Sequence, residues 1–402
     1  MTLMRRDFLL SGTLAAAAMT STGPILAQST GPAAPTVQAP PADAPYEAPK
    51  EVRALKITNL FDLETMAEKI LPAGGFGYIS AGSGVNWTRY ENMVAFDRIH
   101  IEPQSLSGHA NVDLTVDIFG SPLKMPIIVP PMTGHGLAHV SMEEGTAKAT
   151  DAVGTLMIAS TRSDLSMEAI AAATPGPKWF QLDFPRDLGY ARELLQRAKS
   201  AGYKAIVPTI DNVFEFPRDD AAFQPPAWFG KGNRSRSAAD PAQADRMLND
   251  RKRDLNWDDM EFVKRESGLP VIIKGVMSPR VAATAIRRGM DAIYVSNHGG
   301  RAFDGVNATI SALPRIADTV QDSVPIIFDG GIRRSADVFK AIALGAKVVA
   351  CGRPVLYGLA LGGALSAQSV LEHLRDHLTI VMQLSGTRTV QDIKPENLAP
   401  TE

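Results

Sequence analysis

Cysteine is nearly absent: Cys351 is the only one among 402 residues. That excludes a disulfide framework, a cysteine-based zinc or iron–sulfur centre and a Cys-x-x-Cys-His haem attachment, so a redox centre here has to be non-covalent and carbon-based. Cys351 itself follows the apolar run Val348-Val349-Ala350, where a thiol reads as a small buried group rather than a reactive one. An excess of one charge is missing too. The 41 basic and 43 acidic residues leave a net charge of −2, which provides no electrostatic footprint for nucleic acid or for an anionic membrane surface. Small-molecule chemistry is what these absences leave.

The N-terminus lacks an apolar stretch long enough to span a bilayer. It has instead Met4-Arg5-Arg6-Asp7-Phe8-Leu9-Leu10, a short apolar run to Met19 and small residues ending near Ala27. We read residues 1–27 as a twin-arginine signal, a route that exports folded proteins, and expect a periplasmic or otherwise exported protein. Residues 28–50 are dominated by Pro, Ala and Ser, a composition that cannot bury enough surface to order itself. They are expected to be a disordered spacer, too short for a haem domain. Residues 51–402 remain for one large domain.

From Ile127 onward, short β-branched or apolar runs alternate with helical periodicity. The runs are Ile127 to Val129, Thr155 to Ala159, Trp179 to Leu182, Ala205 to Val207, Val271 to Ile273, Ala292 to Val295, Ile326 to Phe328 and Val348 to Ala350. Eight near-continuous apolar strands separated by helices predict a closed parallel (β/α)8 TIM barrel rather than an open sheet. Amphipathic helices are expected at Leu188 to Ala201 and Pro279 to Arg288. Asn59 to Ala81, with a helix from Leu60 and a Pro72-Gly74-Gly75 break, is expected to cap the barrel. The polar stretch from Arg218 to Asp254, after the fourth strand, is expected to be a long mobile lid.

Residues just after the strands of such a barrel converge on one mouth, so polar residues there invite a chemical reading. Asp329-Gly330-Gly331-Ile332-Arg333 and Gly352-Arg353 close the seventh and eighth strands. Glycines admit close backbone approach and the arginines supply charged donors, together a phosphate site. Lys274 ends the fifth strand, either as a Schiff-base nucleophile or as a fixed cation beside a developing anion; the residues alone leave both open. His298, in Ser296-Asn297-His298-Gly299-Gly300-Arg301, has the setting of a general base next to a carboxylate-binding arginine. Asp211, ending the fourth strand, is the candidate partner for its imidazolium.

These motifs, with Ile273-Lys274-Gly275-Val276 among them, occur in the order and approximate spacing of a known family. From about Thr58 to Ile393 the sequence resembles the FMN-dependent 2-hydroxy-acid oxidases and dehydrogenases, the family of glycolate oxidase, lactate oxidase and mandelate dehydrogenase. The resemblance implies an FMN cofactor and oxidation of an (S)-2-hydroxy acid to a 2-oxo acid. Tyr78 and Arg301 match the pair that holds the substrate carboxylate, and Arg218 a second arginine that joins them. His298 matches the base, Asp211 its paired carboxylate, and Lys274 the lysine near the flavin, which removes the Schiff-base reading. Ser160, Gln181, Thr209 and Ser296 match flavin contacts, with backbone donors from Pro131, Met132 and Thr133. Asp329, Gly330, Gly331, Arg333, Gly352 and Arg353 match the ribityl and phosphate end.

The chain departs from that pattern at the substrate end. Asp183 stands where the family usually has a tyrosine, and an ionised carboxylate there repels both a carboxylate substrate and a developing alkoxide. Arg162 stands where glycolate oxidase has an aromatic residue, and an Arg162–Asp183 ion pair across the mouth is one expectation. Thr133 replaces a smaller residue. These changes point to a larger or more polar substrate, carrying an amine or extra hydroxyls. Two other readings are an isomerase-type FMN or phosphate barrel and a flavin-binding protein whose turnover Asp183 has altered. The electron acceptor is expected to be oxygen, a quinone or a cytochrome, and relatives' tetramers make a homo-oligomer the expectation.

Overall fold

The computed structural model describes residues 46–108, 110–214 and 223–400. The leader with Arg5 and Arg6, most of the expected spacer, and Arg218 lie outside the described residues.

The eight expected strands are all present: β1 (Ile127–Ile128), β2 (Met157–Ala159), β3 (Lys178–Leu182), β4 (Ile206–Pro208), β5 (Ile272–Val276), β6 (Ala292–Val295), β7 (Ile326–Asp329) and β8 (Val348–Ala350). Parallel ladders join β2 to β3 and β3 to β4, and run from β5 through β6, β7 and β8 to β1. Two seams remain. Val129 bridges Met157, and Ile206 and Thr209 bridge Val271 and Lys274, all parallel. The sheet therefore returns to its first strand, as a TIM barrel.

Strand residues alternate between two surfaces. Ile127, Phe180, Ile206, Ile273, Ile293 and Phe328 face outward into the core shared with the helices. Ile128, Ile158, Trp179, Val207, Ile272 and Tyr294 face inward and fill the barrel as a second cluster. The bottom of that cluster is closed by a two-stranded antiparallel hairpin, Val116–Ile118 and Ser121–Leu123, which contributes Val116, Ile118 and Leu123. Sequence reading missed this hairpin because each arm is only three residues long. Phe119 at its turn packs edge-on against Trp179, with ring centroids 5.8 Å apart.

The capping segment folds as two short helices, Asp62–Glu68 and Ala73–Ser80. It is stitched to the loop after β6: the Ser83 N–H donates to Gly300 O at 2.8 Å, and Asp304 accepts from the Val85 and Thr88 N–H groups. Helix Arg353–Leu384 is long and apolar enough for a membrane span, but 83% of its apolar window is buried inside this fold. It is a core element with non-helical backbone at Gly362 and Gly363.

Two expectations need correction. Residues 46–50, assigned to the spacer, pack on the barrel: the Tyr46 hydroxyl donates to Leu137 O at 2.8 Å and the Val140 N–H to Pro49 O at 3.0 Å. An aromatic ring in an otherwise small-residue stretch is the reason. The lid expected over Arg218 to Asp254 is, over its described residues 223–254, a run of turns around one regular element and tied to the barrel. It contains helix Pro241–Asn249, whose N-cap Asp240 accepts from the Gln243 N–H, and the fully buried Asn233, whose amide donates to Ser160 O and Ser163 Oγ. Buried polar anchors and a capped helix fix a segment that composition alone reads as loose.

Asp164 is the main tie of this segment. Its two carboxylate oxygens accept from Gly136 N–H at 2.8 Å and Gly230 N–H at 2.7 Å, joining the loop to the first barrel turn. Burial first, and the neighbouring Glu143 carboxylate second, push the Asp164 pKa up to about 7. A carboxyl raised in the fold keeps its proton while the unfolded chain has lost it, so stability falls as pH rises from about 4 to about 7 and levels off above. Asp164→Asn should flatten that fall by about 2 kcal/mol between pH 5 and 7, read from urea unfolding midpoints. An unchanged slope would show that the Asp164 carboxyl does not titrate in this range.

Candidate active site

Alternation along the strands decides which side chains reach the mouth. Two positions above the inward apolar layer, the same face carries Ser160, Gln181, Thr209, Lys274 and Asp329, and all of them line one cavity of about 320 Å³. Asp183, two further along β3's direction, lines it as well. So do Tyr78, Arg162, His298 and Arg301. The residues expected at the phosphate end, Gly330, Gly331, Arg333, Gly352 and Arg353, close the other side, with Pro131, Met132 and Thr133 between.

Ser296 is the exception. It is fully buried behind the wall, accepting from Lys274 Nζ at 3.0 Å and from the His298 N–H at 3.1 Å, so it positions two site residues instead of lining the cavity. Lys274 is held further by Asp329 Oδ2 at 3.9 Å and lies over the Tyr294 ring at 5.3 Å.

His298 Nδ1 lies 3.0 Å from Asp211 Oδ1. Donation of Nδ1–H to that carboxylate leaves Nε2 as the imidazole's acceptor. Burial by itself raises the Asp211 carboxyl, but the adjacent His298 and Lys274 outweigh it and hold its pKa below the ordinary carboxylate value. Asp211 therefore stays an anion behind the imidazole. Gly275 makes room for it: a Cβ there, at φ +105°, sits 2.7 Å from Asp211 Cβ. His298 itself has φ +59°, a left-handed conformation that costs a non-glycine residue on the order of 1–3 kcal/mol and marks functional sites. The turn is pinned by a reciprocal amide pair between Asn297 and the buried Asn92, 2.8 Å in both directions.

Arg301 is fixed by backbone carbonyls of Tyr78 and Ala81, both at 2.7 Å, and its guanidinium lies 4.9 Å from the Tyr78 ring centroid. Tyr78 packs in turn on Phe223 and Phe229, at 4.9 and 5.0 Å. Phe229, together with Phe214, Asn212 and Arg251, belongs to the cavity wall and escaped sequence reading. The cue was the aromatic pair Trp228-Phe229 in a polar stretch read as a lid.

The expected ion pair across the mouth is not formed. Arg162 donates to Asn249 Oδ1 at 2.6 Å and Leu248 O at 3.3 Å, satisfied by the helix whose existence the sequence did not reveal. Asp183 is held by amide donors, Gln181 Nε2 at 2.9 Å and Asn212 Nδ2 at 3.3 Å.

The cation-rich end has the opposite imbalance. Arg353 donates to the carbonyls of Ile79, Ala81 and Gly299, and Arg333 to that of Ile332. Among the described residues neither meets a carboxylate within ion-pair distance. Burial, then the nearby Arg301, Arg89 and Arg333, pushes the Arg353 pKa down to about 9. Beside it, Gly331 has φ +80°, and a Cβ there would sit 1.9 Å from Asn92 O. Two guanidiniums without an anion, on the cavity wall beside Gly330, Gly331 and Gly352, fit a ligand that brings a phosphate. FMN brings one.

Residues 67–400 match the model of a family described as FMN-dependent dehydrogenase. The chain belongs to that family. It is accordingly an FMN-dependent oxidoreductase of the 2-hydroxy-acid-oxidising kind. An L-lactate oxidase of Lentilactobacillus hilgardii is 42% identical over 360 residues, covering 88% of this chain and 97% of that protein. The crystal structure of a Pediococcus acidilactici protein described as a lactate oxidase superposes with TM-score 0.84 at 41% identity, over 89% of this chain and 98% of the other. A mandelate oxidase bound to (S)-2-phenylpropionate does so with TM-score 0.78 at 32% identity, over 86% and 98%. Cys351 is buried, and burial pushes its thiol up to about 12, so it stays inert.

Arg353→Met should weaken FMN binding at least about tenfold, as expected for loss of a charge-assisted contact to phosphate. Fluorescence titration of the apoprotein with FMN checks this, and unchanged affinity would remove Arg353 from the phosphate end.

Proposed function

We propose that the protein oxidises the C2 hydroxyl of a 2-hydroxy acid to a 2-oxo acid, with His298 as base and Arg301 and Tyr78 holding the carboxylate. The observation that carries this reading is that His298, hydrogen-bonded to Asp211 behind it, shares one cavity wall with Arg301 and Tyr78. Bound FMN supplies the two-electron acceptor for the oxidation. Arg333, Arg353, Gly330, Gly331 and Gly352 would hold its phosphate end, and Asp329 its ribityl hydroxyls. Ser160, Gln181, Thr209 and the Pro131–Thr133 backbone would hold the rest, with Lys274 as a fixed positive charge.

The residues' own part is proton handling and orientation. Arg301, fixed by its carbonyl contacts, and the Tyr78 hydroxyl dock the carboxylate, which brings C2 beside the imidazole. His298 receives a proton at Nε2, and the imidazolium so formed is stabilised by the Asp211 carboxylate at Nδ1. Arg218, which lies outside the described residues, is the candidate for a second carboxylate contact. The Arg5-Arg6 leader supports export of the folded protein as part of the same proposal.

Anaerobic mixing with a panel of 2-hydroxy acids should bleach the flavin absorption band. His298→Ala should keep the flavin and slow bleaching by about 10²–10⁴-fold, the usual contribution of a general base. A protein bleached by dithionite but by no 2-hydroxy acid would overturn the proposed function.

A further inference from the structure

Asp183 is a carboxylate 7% exposed in the wall of the cavity. Its backbone N–H is tied to Thr161 Oγ1 at 3.0 Å, and its Oδ1 accepts both amide donors, from Gln181 and Asn212. Oδ2 has no protein partner among the described residues. It is also absent from the polar atoms sealed away without a partner, so it presents surface to the cavity. The arginine that might have neutralised it, Arg162, is committed to Asn249 and Leu248. A nearly buried carboxylate that meets no cation among the described residues is costly, and more so against an apolar ligand group that also strips its water.

The position of Asp183 in the ring says which part of a ligand meets it. Arg301 and His298 follow β6, while Asp183 ends β3, three strands away around an eight-strand ring. Asn212, which holds Asp183, directly follows Asp211, which holds His298. Asp183 thus belongs to the substrate side of the cavity, away from the Arg333 and Arg353 end. A substrate docked by its carboxylate on Arg301, with C2 at His298, directs C3 and beyond across the mouth to Asp183.

We propose that the preferred substrate is a 2-hydroxy acid whose side chain carries a hydrogen-bond donor, a hydroxyl or an ammonium, received by Asp183 Oδ2. This rests on the proposed function above. The donor replaces the water lost by the carboxylate, and Phe214 and Phe229, on the same cavity wall, enclose the intervening carbon atoms.

L-Lactate, L-glycerate and L-isoserine differ only at C3, as methyl, hydroxymethyl and aminomethyl, and separate the possibilities. With the FMN-loaded enzyme, anaerobic flavin reduction should give a kcat/KM for glycerate or isoserine at least about tenfold above lactate, the value of one hydrogen bond to a charged group. Preference for isoserine identifies an ammonium ligand, and preference for glycerate a hydroxyl. Asp183→Asn should bring the winning ratio down towards that of lactate. Without turnover, calorimetry should show 3-aminopropanoate or 3-hydroxypropanoate binding more tightly than propanoate to the native protein, and the margin shrinking in the Asn variant. Lactate equal to or better than both donor substrates, with an unchanged ratio in Asp183→Asn, overturns the donor assignment and leaves the proposed function standing. No flavin reduction by any of the three, with dithionite still bleaching the flavin, overturns the inference, while the proposed function falls only if the wider panel of 2-hydroxy acids fails as well.

Discussion

Alternation along eight parallel strands that close into a ring is the constraint on which this site depends. One strand face packs against the helices and the other fills the barrel, so the residue type two positions above each inward apolar residue decides what the mouth contains. Ile158 is followed on that face by Ser160, Val207 by Thr209, Ile272 by Lys274 and Ile327 by Asp329. The hairpin below plugs the opposite end with Val116, Ile118 and Leu123. Polar chemistry is thereby confined to one end of an otherwise apolar cylinder, where low dielectric makes each charge matter.

Charge is divided within that end. Around β4 to β6 a carboxylate, an imidazole and a lysine lie together: Asp211 holds its charge because His298 and Lys274 outweigh its burial. Around β7 and β8 the guanidiniums of Arg333 and Arg353 rest on carbonyl oxygens, and the Arg353 pKa is pushed down by its own desolvation and its cationic neighbours. At β3 the imbalance is reversed, with the Asp183 carboxylate held, among the described residues, by amides alone. A protein tolerates such local imbalances where ligands restore the balance. In the function proposed above, the cofactor's phosphate answers the β7–β8 end.

Much of this was legible in the sequence because it depends on short-range rules. Each of the eight strands was marked by its own apolar run, and residues such as Lys274, His298 and Arg353 were fixed to the mouth by following those runs directly. The pairing of Asp211 with His298 follows from their places at strand ends of one mouth as well as from the family resemblance, and the geometry agrees with it. What was not legible depends on contacts between distant segments. Arg162 looked available to Asp183 because helix Pro241–Asn249, which supplies its acceptors, was hidden in a polar stretch. Ser296 looked like a ligand contact because strand parity says which face a residue takes, not whether Lys274 and the turn's own backbone occupy its hydroxyl. Phe229 reached the wall only because Asp164 and Asn233 tie down its loop, and buried polar anchors leave no periodic pattern.

On the proposed function, the phosphate of FMN completes the cations Arg333 and Arg353 at the mouth. Calorimetric titration of the apoprotein with FMN and with riboflavin, which lacks only that phosphate, tests this directly. FMN should bind at least about a hundredfold more tightly than riboflavin, a difference of about 2.7 kcal/mol or more. Equal affinities would contradict it, since they would show that Arg333 and Arg353 are stable in the fold without an anion.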